Sequence, residues 1–389
     1  MGGHALVFGA SGITGWGTTN ALLSDYPTKD AFDRVTALTN RPLSVEDSQW
    51  PASSKLNIVS GLDLQGEQAE LEKSLREQVP SIETVSHVYF FAYIVNFDPD
   101  EEVRINVEIL DKAVTAVEKL SPGLVSVVFP TGVKTYGVHL LDKFPYGDKL
   151  PLKETLDPIP EPYASKLFYY PQVELLKKLS AGKKWTFVDI IPDIVVGFIP
   201  NNNAYSLAQW LALYLSLYRE INGEGAEVVF PGNEKSWTIK FNDSNQDIIG
   251  RFAVYAGLHP EKTGGERYNV SDNAQWSNWE EKWPVICAYF GLKGVGPTNG
   301  SGPDPSAYIA EHRDQWLAME SKYNLKTGRV GNEKSLTAVP LFLMKQFDFD
   351  RQVDLTKMHE AWGDATEEID TKGSWYTVFD RFRAAKIIP

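Results

Sequence analysis

Short apolar runs of strand length alternate with amphipathic helical runs over the first 200 residues, and this alternation constrains the fold most. It is typical of a parallel sheet whose strands are joined by helices. Runs such as 125–129 (Val-Ser-Val-Val-Phe) are apolar on both faces, so we expect helices on both sides of the sheet. The predicted fold class is therefore α/β, with a doubly wound Rossmann-type parallel sheet. The predicted strands are residues 5–8, 34–38, 57–59, 87–92, 124–129 and 185–191.

Composition excludes several classes of function. The formal charge of −13, from 38 basic and 51 acidic residues, disfavours nucleic acid or an anionic membrane as partner. The single cysteine, Cys287, allows neither an intramolecular disulfide nor a thiolate metal cluster, and the six histidines show no metal-ligand spacing. We therefore predict no metal site.

The sequence predicts no membrane span. Its most apolar stretch, 188–200, is interrupted by Asp189, Pro192 and Asp193 and is too short to cross a bilayer. Because no secretion signal opens the chain, we expect a cytoplasmic protein.

A glycine-rich turn follows the first predicted strand directly and precedes a helical segment. Glycines in this context allow a tight turn and a close backbone approach to a pyrophosphate, while the helix N-terminus supplies amide donors. The pattern predicts dinucleotide binding, with a purely structural turn as the alternative. The residues predicted to contact the phosphates are Gly9, Ser11, Gly12, Ile13 and Gly15.

The end of the second predicted strand indicates which dinucleotide is bound. Asn40 and Arg41 stand where a carboxylate would select NAD, and a guanidinium there can pair with a 2′-phosphate, so the predicted cofactor is NADPH/NADP+. The alternative is that Arg41 is an ordinary surface arginine. We expect Asp63 near the adenine, with Leu64 beside it. The other predicted cofactor contacts follow the fourth, fifth and sixth strands and are Ala92, Tyr93, Thr131, Pro192 and Ile194.

The usual catalytic pair of short-chain dehydrogenases, a tyrosine with a lysine four residues later, is absent, because Tyr170 is followed by Glu174 at that spacing. A cation could come instead from Lys134, at the carboxyl end of the fifth predicted strand, where active-site residues of doubly wound sheets collect.

The alternation of strands and helices stops after residue 200, where Trp-, Leu- and Tyr-rich helical segments dominate. We divide the chain into a nucleotide-binding domain (1–200, with 226–275 returning to it) and a smaller, mainly helical substrate-binding region (201–225 and 276–389).

Four segments resemble the progesterone 5β-reductase/iridoid synthase-like (PRISE) family, an atypical branch of the extended short-chain dehydrogenases. They are 131–137 (TGVKTYG), 168–170 (FYY), 229–232 (VFPG) with Trp237, and the ending 379–389. The resemblance spans nearly the whole chain and matches Lys134 and Tyr170 to the catalytic lysine and tyrosine of the family. Thr135 stands where the family usually has histidine, and Gln172 and Val173 replace its acidic residues.

The resemblance implies reduction of a carbon–carbon double bond conjugated to a carbonyl. Hydride from the nicotinamide would reach the β-carbon, and Tyr170 and Lys134 would stabilise the enolate. On this basis Tyr170→Phe would cost on the order of 10² to 10³ in rate. The alternatives left open are a carbonyl reductase, a redox-neutral cyclase of the same family, and a non-catalytic NADP(H)-binding regulator.

Two apolar segments, 206–218 and 336–347, are expected to cover the nicotinamide and to form the substrate pocket. Their composition predicts a small apolar substrate, and the resemblance implies that it carries a carbonyl group. Oligomeric state is not readable from the sequence, and a homodimer stays open.

Overall fold

The computed structural model describes residues 2–298, 300, 302–331 and 337–389. Within them lie eleven strands: β1 (Gly3–Phe8), β2 (Phe32–Thr39), β3 (Leu56–Ser60), β4 (His87–Phe90), β5 (Ser126–Pro130), β6 (Thr186–Pro192), β7 (Val195–Val196), β8 (Glu227–Val229), β9 (Ser244–Asn245), β10 (Arg267–Val270) and β11 (Lys293–Val295). Seven of them form one sheet in the order β10-β6-β5-β4-β1-β2-β3, and all its pairs are parallel. The predicted Rossmann-type doubly wound sheet is confirmed.

Fifteen α-helices lie within the same described residues: α1 (Ile13–Leu23), α2 (Val45–Ser48), α3 (Gln68–Gln78), α4 (Pro99–Leu120), α5 (Tyr169–Ser180), α6 (Leu207–Asn222), α7 (Glu234–Trp237), α8 (Gln246–Leu258), α9 (Pro260–Thr263), α10 (Trp279–Tyr289), α11 (Pro305–Glu311), α12 (Arg313–Tyr323), α13 (Val339–Lys345), α14 (Thr356–Trp362) and α15 (Thr371–Ala384). Helices α3, α4 and α5 cover one face of the sheet, and α1 and α8 cover the other.

Two hydrophobic cores lie on the two faces of the sheet, and alternate side chains of a strand enter one or the other. In β1, Leu6 and Phe8 enter the core under α3 and α4, whereas Ala5 and Val7 enter the core under α1 and α8. β1 is therefore apolar on both faces, as a strand of a sheet covered on both sides requires.

The strand limits differ from the sequence prediction by one or two residues. The first strand begins at Gly3, and the predicted strand 87–92 ends at Phe90. Beyond Phe90 the chain passes against the glycine turn that follows β1, where a Cβ at Gly9 would lie 2.7 Å from the carbonyl carbon of Phe91. The helix predicted over 101–120 begins at Pro99, because the Asp98 side chain caps it by accepting from the amides of Asp100 and Glu101.

The chain beyond residue 200 leaves the sheet and returns to it once, at β10. The segment predicted as a helix over 206–218 is α6, with Ser206 as its cap. Two further two-stranded ladders, β7–β9 and β8–β11, tie this part together. The boundaries proposed for the two regions stay a prediction, and Met1 lies outside the described residues.

The helices and the potential metal-binding side chains of the described residues bear on membranes and metals. None of these helices combines the length and the apolar character that crossing a bilayer requires. No group of three or more His, Cys, Asp or Glu side chains is arranged to hold a metal ion in this part of the chain. Cys287 is buried, and burial raises the pKa of its thiol.

Candidate active site

The glycine turn after β1 is built for an anion. Gly9 has φ +71°, a conformation that favours glycine, and the amide of Gly12 donates to the Gly9 carbonyl over 2.9 Å. Helix α1 begins at Ile13 with no side-chain cap and no acidic residue in its first turn. Its N-terminal amides are therefore available to a phosphate.

Gly15 has a packing role in this turn. A Cβ there would lie 2.3 Å from the carbonyl oxygen of Gly9. Only glycine lets α1 approach the turn this closely, which matches the role expected of the third glycine in a dinucleotide-binding turn.

A cavity of about 420 Å³ opens at the carboxyl ends of β1 to β4. Eight of the predicted cofactor residues line it, namely Gly9, Ser11, Gly12, Asn40, Asp63, Leu64, Ala92 and Tyr93. Phe8, Leu38, Thr39, Leu62 and Ile109 also line it and were not predicted. The cavity lies between β1 and β4, where the strand order reverses and where doubly wound sheets bind their ligands.

Arg41 is exposed just beyond this cavity, and its carbonyl accepts from the Thr39 hydroxyl over 2.8 Å. This contact anchors the backbone and leaves the guanidinium available to a 2′-phosphate. Its pairing with that phosphate stays a prediction.

We expect Arg41→Gln to weaken NADPH binding by about 10- to 100-fold, because a hydrogen bond to a charged group contributes about 1.5–3 kcal/mol. NADH, which lacks the 2′-phosphate, should bind unchanged. Titration of both nucleotides by nicotinamide fluorescence measures this. Arg34→Gln, at an exposed arginine near the amino end of β2, is the matched control. Equal weakening of both nucleotides would show that Arg41 does not read the phosphate.

The remaining predicted cofactor residues lie where β5 and β6 end. Thr131 is buried and its hydroxyl donates to Asp189 over 2.7 Å. A Cβ at Gly132 would lie 3.4 Å from the Pro192 carbonyl oxygen, so the two strand ends approach closely here. The Ile194 carbonyl accepts from the amide of Ser244, which holds the chain after β6 in place.

Two neighbouring tyrosines at the start of α5 point in different directions. The Tyr170 hydroxyl donates to the carbonyl of Thr135 over 2.7 Å and accepts from the amide of Ile159 over 3.0 Å. Both of its hydrogen-bonding functions are thus used by backbone groups. A catalytic role for Tyr170 would require its hydroxyl to leave these partners, and it stays a prediction.

Tyr169 presents its hydroxyl to the ends of β5 and β6. A Cβ at Gly132 would lie 3.3 Å from it, and within the described residues it makes no hydrogen bond. Burial raises the pKa of this phenol, and the negative charge of Asp189 adds to the effect. Tyr169 is therefore a neutral donor without a partner, and sequence reasoning missed it because the resemblance pointed to its neighbour.

Lys134 lies in a short helical turn, residues 133–136, directly after β5. Its side chain is exposed, and it forms no ion pair with any residue that the structure describes. The pKa of the nearby His139 is lowered to about 4, first by burial and then by the positive charge of Lys134. The ammonium group of Lys134 therefore contributes positive electrostatic potential at His139, in the same loop.

Two tyrosines contact each other at the nucleotide cavity, which Tyr93 lines. The rings of Tyr93 and Tyr205 lie 6.4 Å apart and are 50% and 38% exposed. Phe342, in α13, is also exposed and contacts Phe347. The predicted covering segment 336–347 is described from residue 337 onward, and Leu336 lies outside the described residues.

Helix α6 was also expected to line the substrate pocket. Its residues from Leu207 to Leu217 are buried almost without exception, and the Trp210 indole donates to the Ser306 hydroxyl over 2.8 Å. These side chains serve the core. The residue that contacts Tyr93 is Tyr205, which lies just before the predicted segment.

A buried ion pair below the loop after β5 was not predicted. Nε of Arg267, in β10, donates to Oδ2 of Asp189, in β6, over 2.8 Å. Burial raises the pKa of Asp189, and the guanidinium opposes that rise. The signal in the sequence was a charge inside an otherwise apolar strand, but its partner lies 78 residues away.

The sequence matches the family described as PRISE-like Rossmann-fold domains over residues 5–389. The chain belongs to this family. It is 34% identical to the short chain dehydrogenase sirQ of Leptosphaeria maculans, over 99% of this chain and 97% of that protein. It is 22% identical to the 3-oxo-Delta(4,5)-steroid 5-beta-reductase of Arabidopsis thaliana, over 99% and 93% of the two chains.

Among solved structures, RMD from Pseudomonas aeruginosa complexed with NADPH aligns with a TM-score of 0.58 at 14% identity, covering 98% of this chain and 99% of that one. This likeness concerns the fold. The predicted family is confirmed, and this PRISE-like chain is an oxidoreductase of the short-chain dehydrogenase/reductase superfamily. Membership of a family that includes reductases, together with the dinucleotide-type turn, also confirms the predicted cofactor, NADPH/NADP+.

Proposed function

We propose that this PRISE-like chain uses NADPH to reduce a carbon–carbon double bond conjugated to a carbonyl. The observation that carries the proposal is the Tyr169 hydroxyl, an unpaired neutral donor at the carboxyl ends of β5 and β6. Enone reduction develops negative charge on the carbonyl oxygen, and a preorganised donor at that oxygen lowers the barrier. The site therefore has the group that this reaction needs.

The residues of this chain divide the work as follows. Residues 9–13 and 38–41 would hold NADPH, which when bound would supply a hydride for the β-carbon. The double-bond electrons move to the carbonyl oxygen, and the Tyr169 O–H donates a hydrogen bond to the resulting enolate. Lys134 adds positive potential at the same end of the sheet, and water protonates the α-carbon.

The sequence prediction gives the donor role to Tyr170. Because the Tyr170 hydroxyl is bound on both sides by backbone groups, we assign the donor role to Tyr169 and a holding role to Tyr170. Tyr170 keeps the carbonyl of Thr135, next to Lys134, fixed against α5. The two assignments make opposite predictions for single Phe variants.

The substrate in this proposal is a small apolar molecule that carries the carbonyl group. Tyr93, which lines the nucleotide cavity, and its neighbour Tyr205 offer exposed ring surface there, and aromatic surface favours apolar ligands. The named activity of the Arabidopsis relative, a 3-oxo-steroid reductase, supports a reductase of carbonyl-bearing substrates.

The proposal is tested by measuring NADPH oxidation with the purified protein across cyclic and linear enones and enals, with products identified by mass spectrometry and NMR. Saturated ketones or aldehydes are the expected products, and matching saturated carbonyl compounds serve as controls that cannot undergo 1,4-reduction. Allylic alcohols would instead indicate a carbonyl reductase. NADPH binding without consumption would replace the proposal with a redox-neutral enzyme or a regulator.

A further inference from the structure

Asp189 and Arg267 face each other as register partners in the neighbouring strands β6 and β10. The Asp189 side chain is fully buried, and that of Arg267 is 24% exposed. A buried carboxylate is costly unless it is paired and its remaining oxygen is hydrogen bonded. The hydrogen bonds that Asp189 and Arg267 make besides the one between them therefore show which segment the pair fixes in place.

Both second contacts go to the loop that follows β5. Oδ1 of Asp189 accepts from the Thr131 hydroxyl over 2.7 Å and from the Thr131 amide over 3.2 Å. A terminal guanidinium nitrogen of Arg267 donates to the Thr135 hydroxyl over 2.9 Å. The pair therefore holds the loop by hydrogen bonds at Thr131 and at Thr135, and Lys134 lies between these two residues in the sequence.

The same loop reaches the two tyrosines. The carbonyl of Thr135 accepts from Tyr170, and Gly132 lies against the hydroxyl of Tyr169. A shift of the loop would therefore move Lys134 relative to Tyr169. Thr135, which stands where the family usually has histidine, supplies both the hydroxyl and the carbonyl that make these connections.

We propose that Asp189 and Arg267 are a positioning pair for the reductase, which fixes loop 131–135 so that Lys134 and Tyr169 keep their mutual geometry. This inference rests on the proposed function. Neither residue needs to contact the substrate. A misplacement of about 1 Å in a catalytic arrangement can cost on the order of 10²-fold in rate, which sets the size of the expected effect.

A merely structural role is the competing explanation, and the energetics of buried pairs separate the two. Removing one partner leaves an uncompensated buried charge and destabilises the fold, whereas replacing both partners by apolar residues is often neutral or stabilising. The double variant Asp189→Leu/Arg267→Met therefore removes the grip on the loop while it keeps the strands packed.

The experiment compares this double variant with wild type in kcat, NADPH affinity and melting temperature. We expect kcat for the best enone to fall on the order of 10²-fold, with a smaller change in NADPH affinity, because the cavity at the ends of β1 to β4 is lined by other segments and only the predicted contact at Thr131 is disturbed. Arg267→Lys should keep the fold stable yet lose part of kcat, since one ammonium cannot reproduce the planar fork that bonds to both Asp189 and Thr135. Arg251→Met/Glu367→Leu removes a partly exposed pair elsewhere and is the matched control, with kcat unchanged.

Full activity in the double variant would overturn the positioning role. A wild type that reduces no enone would instead overturn the proposed function, so loop order is measured independently by amide hydrogen exchange. The Thr135 amide donates a hydrogen bond to the Gly132 carbonyl over 2.8 Å, and the Gly137 amide donates one to the Lys134 carbonyl over 2.9 Å. Both amides should exchange faster in the double variant than in wild type and in the Arg251→Met/Glu367→Leu control. Unchanged exchange at these amides would overturn the positioning role whatever the substrate proves to be.

Discussion

Replacing Tyr169 with Phe is expected to lower kcat for enone reduction on the order of 10² to 10³, the usual loss when one donor to a developing oxyanion is removed. The Phe ring keeps the packing against Phe168, whose ring centroid lies 4.8 Å away, so the fold should be retained. Steady-state kinetics with the best enone from the substrate panel measures this effect. NADPH affinity should stay close to that of wild type.

Tyr170→Phe is the matched variant on the adjacent residue. It removes the hydrogen bonds to Thr135 and Ile159, so we expect a loss of stability of about 1–3 kcal/mol and a smaller loss of kcat than in Tyr169→Phe. Thermal unfolding followed beside the kinetics separates the two effects. A larger kcat loss in Tyr170→Phe would return the donor role to Tyr170, as the sequence alone predicted.

Gly9→Ala should weaken NADPH binding strongly. Gly9 has φ +71°, and an added Cβ would lie 2.7 to 2.8 Å from the backbone of Phe91 and Ala92, so the turn must move. Losing two amide contacts to the phosphates costs about 1.5–3 kcal/mol each, which amounts to on the order of 10²-fold or more in Kd. Calorimetric titration with NADPH is the direct measurement.

Gly182→Ala is the control for this change. Gly182 has the same φ of +71° but open space around it, so both variants bear the backbone cost and only Gly9→Ala collides with a neighbour. We expect Gly182→Ala to lower the melting temperature while NADPH binds normally. Equal loss of binding in both variants would show that strain alone, and not the position of the turn, controls the nucleotide site.

Features set by neighbouring residues were predictable from the sequence. The glycine turn, the first six strands of the sheet and the body of α4 depend on local patterns such as apolar runs, so sequence reasoning found them, although it placed the start of α4 two residues late because it did not recognise the Asp98 cap. The cavity lined by Asn40, Asp63 and Tyr93 followed from the strand order, because parallel strands end at one edge of the sheet.

Features set by distant residues were not predictable. The pairing of Asp189 with Arg267 depends on β10 adding to β6, and no local pattern shows which strand lies beside which. The directions of the Tyr169 and Tyr170 side chains depend on where α5 begins relative to the sheet. A shift of that start by one residue would exchange the two directions. The burial of α6 depends on the helices that surround it.

The return of the chain to the sheet at β10 has a consequence for synthesis. A ribosome completes β1 to β6 long before it reaches Arg267, and until then Asp189 has no guanidinium partner inside the sheet. Because domains tend to fold as they emerge, the nascent chain could assemble its nucleotide cavity early, yet the loop with Lys134 would stay unanchored. Reductase competence would then arrive late, only after most of the polypeptide has been translated.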